Sequence, residues 1–468
     1  MNSAIKPFVV KAISSPVKGK LSLLGDKSIA HRCIIISSLG IGPVIIENFP
    51  ANEDCLSTLK IFRKLGIKIA WRKDLCLPVI TVIGKGLWGL KEPNDPIFIG
   101  ESGTTLRLLM GVLSAQSFKT KLVAGRSLSK RPMLRITLPL RLMGATIKAR
   151  SIIRKARQEE YLPVTIKGGA NLKAITYSLP VASAQVKGAI LLAGLYAKGL
   201  TRIIEPIKTR DHTERMLKLF KADIKVQKNM IILRGGRQLV SPKKIYIPAD
   251  ISSAAFFIVL GAIIPGSDIL LKKVNLNPSR MGIIKVLKRM NAKIQFSSLN
   301  SRCLGSEPAG DIIVKGSSLK ATKIKKEEIP SLIDELPILM VAACFARGKT
   351  IFESVEELRV KETDRIKSMS ENLAKMGARV EVVKVGKGEN IIIEGVKQLN
   401  GAKVKSFGDH RTAMSMVIAG LSARGETQID DISCINKSFP NFINLLRSLN
   451  PLSHYPLTHS SRNWKNII

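Results

Sequence analysis

One hydrophobic pattern recurs six times along the chain. A polar residue opens a run of small apolar residues at helical spacing, a glycine breaks the run, and a β-branched strand follows. Copies begin at Ser28 (SIAHRCIIISSLGIGPVII), Ser102 (SGTTLRLLMGVLSAQ), Ser183 (SAQVKGAILLAGLYAKGLTRII), Ser252 (SSAAFFIVLGAIIPGSDILL), Asp334 (DELPILMVAACFARGKTIF) and Arg411 (RTAMSMVIAGLSARGETQI). Neighbouring copies stand 69 to 82 residues apart. A second pattern keeps step with the first: an amphipathic helix, a tight turn and a short strand. It reads FRKLGIKI, LRLMGATI, LKLFKADI, LKRMNAKI and LAKMGARV, with a truncated copy at LLRSLN. The two patterns predict an α/β protein of six mini-folds, each with two helices and several strands, partitioned three per domain.

Helices built from Ala, Gly, Ser and Leu have little polar surface, so they belong against sheets and their polar N-termini become the informative ends. In LLGDKSIAHR, Lys27, Ser28 and Arg32 follow a Gly-Asp turn. A plain helix start, capped by Asp26 or Ser28 with solvated cations, accounts for such a stretch. An anion site accounts for it equally, since free backbone N–H groups and the helix dipole favour phosphate or carboxylate. It is not a nucleotide P-loop, because Asp26 stands where that loop needs a glycine. The starts ESGTT, SAQVK, LIDELP and GDHR also carry binding or reactive residue types, which burial alone does not require.

Composition narrows the field. With 468 residues and 45% hydrophobic content, the chain can build more than one core. The richest apolar stretch, Ala254 to Pro265, is too short to span a membrane, and the N-terminus lacks a signal-peptide core. Six cysteines (Cys33, Cys55, Cys76, Cys303, Cys344, Cys434) are scattered without a CxxC pair, which points to a reducing cytoplasm and to no structural metal. The 75 basic residues outnumber the 35 acidic ones, for a net charge of +40. Nucleic acid is one possible partner of such a charge. However, aromatics are only 5% and the lysines are spread along the whole chain, so the expected ligands are small multiply charged anions and not nucleic acid or membrane.

Nine motifs in order, GDKSIAHR, SGTTLR, SLSKRPM, SAQVKGAILLAGLYA, TRDHTERM, LIDELPILMVAA, ELRVKETDRI, GDHRTAMS and SFPNF, resemble those of the 5-enolpyruvylshikimate-3-phosphate synthase family. They extend from Gly25 to Phe442, nearly the whole chain. The resemblance implies a two-domain enolpyruvyltransferase-like fold, each domain three βαβαββ repeats, joined by a two-stranded hinge and closing over ligands. It puts the N-terminal domain at 21–247, the C-terminal domain at 1–20 plus 248–450, and a tail at 451–468. The implied reaction moves the enolpyruvyl group of phosphoenolpyruvate to the 5-hydroxyl of shikimate 3-phosphate, releasing phosphate. It needs neither metal nor organic cofactor, and the expected form is a cytoplasmic monomer.

Residue by residue, the resemblance gives shikimate 3-phosphate to Lys27, Ser28, Arg32, Ser183, Ala184, Gln185, Arg210, Asp334 and Lys361. Phosphoenolpyruvate goes to Lys27, Arg131, Arg365 and Arg411, with the backbone of Gly103 pressed against it. The candidate catalytic groups are Asp334, Glu362, Lys27 and Lys437. Asp334 matches the family's proton acceptor at the 5-hydroxyl; which of Lys27, Glu362 and Lys437 protonates the methylene stays open. In the family, the glycine at position 103 also lies against glyphosate, which occupies much of the same space.

Bland alternatives exist for single motifs. Asp334 and Glu335 suit any helix start, and KETDR suits a solvated face with Lys361 and Arg365 paired. His212 and His410 read as structural. The sister enzyme acting on UDP-N-acetylglucosamine typically carries a cysteine before its Arg-Pro step, whereas AGRSLSKRPM has none. A basic binding protein on a decayed enzyme scaffold would not keep the full residue set. Three positions depart from the family pattern: Leu24 for proline, Glu101 for asparagine and Arg126 for aspartate. The last two reverse charge in opposite senses, which suggests a compensating pair.

Overall fold

The computed structural model describes residues 6–72, 77–154, 157–297, 307–386 and 388–449. The tail at 451–468, Cys76 and Cys303 lie outside the described residues. Six helices form at the first pattern: Lys27–Leu39, Gly103–Leu113, Ala184–Gly194, Ile251–Ile263, Leu336–Cys344 and His410–Leu421. Five open under a side-chain cap. Asp26 accepts from the N–H groups of Ser28 and Ile29, and Ser102, Ser183, Asp250 and Asp409 accept from Thr105, Val186, Ser252 and Arg411. Asp26, not Ser28, is therefore the cap of the first helix. The fifth helix has no side-chain cap and enters from a 3-10 turn at Lys326–Ser331.

These helices are buried on every side. Every residue of Leu336–Cys344 and of His410–Leu421 is buried, as expected for a helix enclosed by other layers. The second pattern gives helices buried along one stripe. In Gly282–Arg289, Ile283, Ile284, Val286 and Leu287 point inward, while Lys285, Lys288 and Arg289 are exposed.

The sheets repeat one order. A short strand runs parallel to the first long one, and two antiparallel strands follow. Ile97–Phe98, Thr120–Val123, Arg157–Lys167 and Thr146–Arg154 form one such sheet; Lys323–Ile324, Lys349–Phe352, Gly388–Glu394 and Arg379–Val385 form another. In two sheets the parallel edge comes from far along the chain. Lys244–Tyr246 lies beside Gly40–Glu47, and Lys18–Ser22 lies beside Asp268–Asn275. Phe8–Lys11 pairs antiparallel with the still more distant Glu426–Ile429.

Buried apolar side chains make two separate cores. One runs from Ile29 to Ile247; the other joins Phe8 to Leu23 with Ala249 to Leu449. The chain passes between them twice, side by side. The Asp26 N–H donates to Pro248 O at 2.8 Å, and the Asp250 N–H donates to Leu24 O at 3.1 Å. Asp26 and Asp250, which cap the helices Lys27–Leu39 and Ile251–Ile263, stand at this crossing, so polar helix starts from both cores meet beside it.

Candidate active site

The helix starts deliver polar and charged side chains to the site. Lys27 occupies the first turn after its Asp26 cap, and its ammonium lies 3.0 Å from Asp54. Burial would lower the Lys27 pKa, but Asp54 outweighs it and holds the group protonated. Arg32, one turn on, is buried; its Nε donates to Thr213 Oγ1 at 2.7 Å and its NH1 to Ser28 O at 2.8 Å. Desolvation pulls its pKa down to about 10.

Ser183 caps the helix carrying Ala184 and Gln185. The Gln185 amide donates to Thr104 Oγ1 at 3.0 Å and accepts from Arg107. Gly103 opens the neighbouring helix, and a Cβ built on it would stand 3.2 Å from Arg131 NH1. Arg131 itself reaches the Glu362 carboxylate at 3.0 Å, from the other core.

The second core supplies two carboxylates and the arginines around them. Arg365 is almost fully buried, with Nε 2.8 Å from Asp409 and NH2 2.6 Å from Glu362. Its NH1 stands 3.6 Å from Asp334. Arg411 donates to the Asp334 backbone carbonyl at 2.9 Å and stands 3.7 Å from its carboxylate. Arg210, from the first core, donates to the same carboxylate. Burial pushes the Asp334 pKa up, yet Arg210, Arg411 and Arg365 together hold it well below the usual carboxylate range. Glu362 is likewise held well down: burial opposes, and Arg365 and Arg131 prevail. Lys361 stands 3.4 Å from Glu357, and burial lowers its pKa. Lys437 ends a 3-10 turn, Ser433–Lys437, that packs against helices Glu53–Lys64 and His410–Leu421.

This is a cleft walled by cations from both cores, with two ionised carboxylates between them. It can hold several anionic groups without a metal, because helix N-termini and guanidinium groups both favour them. Among the described residues no cluster of His, Cys, Asp and Glu is arranged for a metal ion. Cys33, Cys55, Cys344 and Cys434 are buried thiols, with Cys344 and Cys434 pushed up to about 12 by desolvation. No helix among the described residues is long and apolar enough to cross a membrane.

A family model described as EPSP synthase (3-phosphoshikimate 1-carboxyvinyltransferase) matches residues 11–446. The chain belongs to the EPSP synthase family. Relatives named 3-phosphoshikimate 1-carboxyvinyltransferase from Desulforamulus reducens and Shouchella clausii are each 45% identical. The alignments cover 94% and 96% of this chain, and 99% and 100% of theirs. The solved EPSP synthase of Acinetobacter baumannii superposes with a TM-score of 0.81 at 42% identity, over 95% of this chain and 98% of its own. The enolpyruvyl transferase NikO of Streptomyces tendae shares the fold, with a TM-score of 0.74 at 16% identity over 95% and 97% of the two chains. The expectations of an enolpyruvyltransferase-like α/β fold and of a transferase therefore hold.

Within this EPSP synthase cleft several residues escaped the sequence reading. Asp54 and Asp409 hold Lys27 and Arg365, and Thr213 holds Arg32. Arg107 is half-buried against Gln185, its pKa lowered to about 10 by desolvation and by Arg135 and Arg131. Asp409, Thr213 and Arg107 all lie inside the quoted motifs GDHR, TRDHTERM and SGTTLR, so those motifs were the available signal. The suggested pairing of Glu101 with Arg126 is not what forms. The Glu101 carboxylate accepts from the N–H groups of Ser127 at 3.2 Å and Leu128 at 2.7 Å, while Arg126 is exposed. Unsatisfied backbone donors outcompete a surface cation for a half-buried carboxylate.

Proposed function

We propose that this chain transfers the enolpyruvyl group of phosphoenolpyruvate to the 5-hydroxyl of shikimate 3-phosphate, releasing phosphate and forming 5-enolpyruvylshikimate 3-phosphate. One observation carries the reading. Arg131, Arg210, Arg365 and Arg411 converge from two cores on two carboxylates, Asp334 and Glu362. Two phosphorylated carboxylates need that surplus of fixed positive charge. Lys27, Ser28, Arg32, Ser183, Ala184, Gln185, Arg210 and Lys361 would hold shikimate 3-phosphate. Arg131, Arg365, Arg411 and Lys27 would clamp phosphoenolpyruvate over the Gly103 backbone. The reading takes 21–247 and 1–20 with 248–450 as two domains that meet around the ligands, in a cytoplasmic protein acting on small anions as a monomer.

The chemistry is addition followed by elimination. A proton goes to the methylene carbon of phosphoenolpyruvate, and the 5-hydroxyl oxygen bonds to the adjacent carbon while Asp334 takes the hydroxyl proton. The tetrahedral adduct then loses phosphate, and the methyl group gives a proton back to re-form the double bond. Lys27, Glu362 and Lys437 are the candidate partners of that carbon-bound proton. Positioned acid–base groups of this kind contribute about 10²–10⁴-fold each.

The test is phosphate release from phosphoenolpyruvate with purified protein. Release that depends strictly on shikimate 3-phosphate supports the reading. Release with UDP-N-acetylglucosamine instead, or none with either acceptor, overturns it.

A further inference from the structure

The segment Arg210–Arg215 touches both halves of the cleft through nearly every side chain. Arg210 donates to Asp334, and Thr213 accepts from Arg32 at 2.7 Å. Glu214 lies 2.6 Å from the Lys187 ammonium, which also lies 3.0 Å from Glu205; Lys187 is 1% exposed. Glu205 in turn accepts from the Thr209 N–H at 3.1 Å. The segment is thus bolted to the first core by a buried ion triad.

Its remaining side chains reach the second core. His212 Nδ1 stands 2.8 Å from Glu307 Oε1, and the two side chains are 0% and 2% exposed. The Asn277 amide donates to Glu307 Oε2 at 2.7 Å and to Asp211 Oδ1 at 2.7 Å. Ser279 Oγ donates to Asp211 at 3.2 Å, and Arg215 Nε holds Asp211 at 2.9 Å. Asn277 and Ser279 are fixed in turn, since Asn277 Oδ1 caps the 3-10 turn Pro278–Arg280.

The geometry points to His212 and Glu307, bridged through Asn277 to Asp211, as a positioning clasp that sets the second domain's half of the cleft against the first. This rests on the proposed enolpyruvyl transfer. The Arg32–Thr213 contact lies wholly within the first core, whereas Arg210–Asp334 and Arg131–Glu362 span the two. Loosening the clasp leaves the Arg32 side intact and misplaces Asp334, Arg365 and Arg411. Leaving the buried Glu307 carboxylate without these partners is costly, so the clasp forms as a unit or not at all.

The test is Glu307→Gln in the full-length protein, with steady-state kinetics and calorimetric titration of shikimate 3-phosphate alone. The expected result is about tenfold or more loss in kcat and a matching rise in KM for phosphoenolpyruvate. The dissociation constant for shikimate 3-phosphate should rise by a clearly smaller factor, because among its proposed partners only Asp334 and Lys361 lie in the second domain. Asn277→Asp keeps the 3-10 cap but sets three carboxylates together; it should show the same split and serves where Glu307→Gln does not fold. A role in holding the fold alone would lower the melting temperature and leave both constants of the folded enzyme unchanged. That outcome, or an equal loss of shikimate 3-phosphate affinity, overturns the clasp. Wild-type protein without acceptor-dependent phosphate release overturns the proposed function instead, so the two failures are distinguishable.

Discussion

Arg210 and Asp334 are 124 residues apart in the chain and anchored in different cores, yet the guanidinium donates to the carboxylate. The same Asp334 faces Arg365 and Arg411, and Glu362 faces Arg131 and Arg365. Internal carboxylates thus occupy the cations that the proposed ligands would need. An anion entering the cleft competes with Asp334 and Glu362 for the same guanidinium groups. Binding therefore changes the environment of the two groups proposed to move protons.

Asp334→Asn separates the chemical role from the electrostatic one. Losing the proton acceptor should lower kcat by about 10²-fold or more. Losing its charge frees Arg210, Arg365 and Arg411 for ligand, so KM for phosphoenolpyruvate should stay level or fall. Kinetics by phosphate release measure both. Near-normal kcat would remove Asp334 from the mechanism.

Ligand binding should be accompanied by proton uptake. Arginines hold the Asp334 and Glu362 carboxyls well below their ordinary range in the free protein. Ligand phosphates and carboxylates would neutralise those arginines and add negative charge, and both effects raise a carboxyl pKa. A raised pKa means protons bound, most strongly toward the acid end of the activity range. The same depression acts on folding with a defined sign. It stabilises the fold above the unfolded carboxyl value of about 4 and is lost as pH falls through the lower folded value. Calorimetric titration of both ligands in buffers of different ionisation enthalpy at pH 5.5 would read the uptake. Net proton release attributable to the protein would contradict this account.

Much of this organisation was legible in the residue pattern. Small-residue helices followed by β-branched strands identified the α/β class because a helix apolar on every side must sit between layers. Two caps were legible too, since Ser102 and Ser183 open their copies where an N-terminal N–H needs an acceptor, whereas Asp250 and Asp409 cap two residues before the copies at Ser252 and Arg411. The partners of the site cations were not. Asp54 and Thr213 are ordinary helix-surface types, and only the packing of one helix start against another makes them hold Lys27 and Arg32. The strands Phe8–Lys11 and Lys18–Ser22 gave no local sign of their partners, because those lie hundreds of positions away and pairing depends on tertiary closure. Glu101 misled for a related reason: sequence shows opposite charges on two segments but not the free backbone donors between them.

Glu101 should act through the loop that carries Arg131. Its carboxylate satisfies the Ser127 and Leu128 N–H groups and lies so close to Gly125 that a Cβ there would meet Oε1 at 2.2 Å. Ser127 in turn donates to the Glu362 carbonyl at 3.2 Å. Glu101→Ala should raise KM for phosphoenolpyruvate several-fold, because two partly buried donors are left unmet and each costs about 1–3 kcal/mol. Arg126→Asp should be close to neutral, as an exposed charge making no ion pair among the described residues. The two effects should add in a double-mutant cycle. Strong coupling between them would restore the idea of a compensating pair.

Gly103 should set the contact with the phosphoenolpyruvate pocket by its size, not by its backbone. It begins the helix Gly103–Leu113 in a conformation open to any residue, so freedom at a turn is not what calls for glycine. What an added methyl group meets is Arg131 NH1 at 3.2 Å and Leu128 Cδ1 at 3.6 Å. The first neighbour is the end of a long side chain that can retreat by a few tenths of an ångström, so the substitution should fold normally. Its effect should fall on whatever Arg131 holds. A compact substrate tolerates the shift, whereas an inhibitor reaching further along the same wall meets the methyl group directly. Glyphosate should therefore inhibit the wild type competitively with phosphoenolpyruvate, and Gly103→Ala should raise its inhibition constant by at least about tenfold, with KM for phosphoenolpyruvate rising only a few-fold. Parallel measurement of both constants in both proteins decides the matter. An equal rise in the two, or a wild type already indifferent to glyphosate, would show that the wall beside Gly103 is not where substrate and inhibitor part.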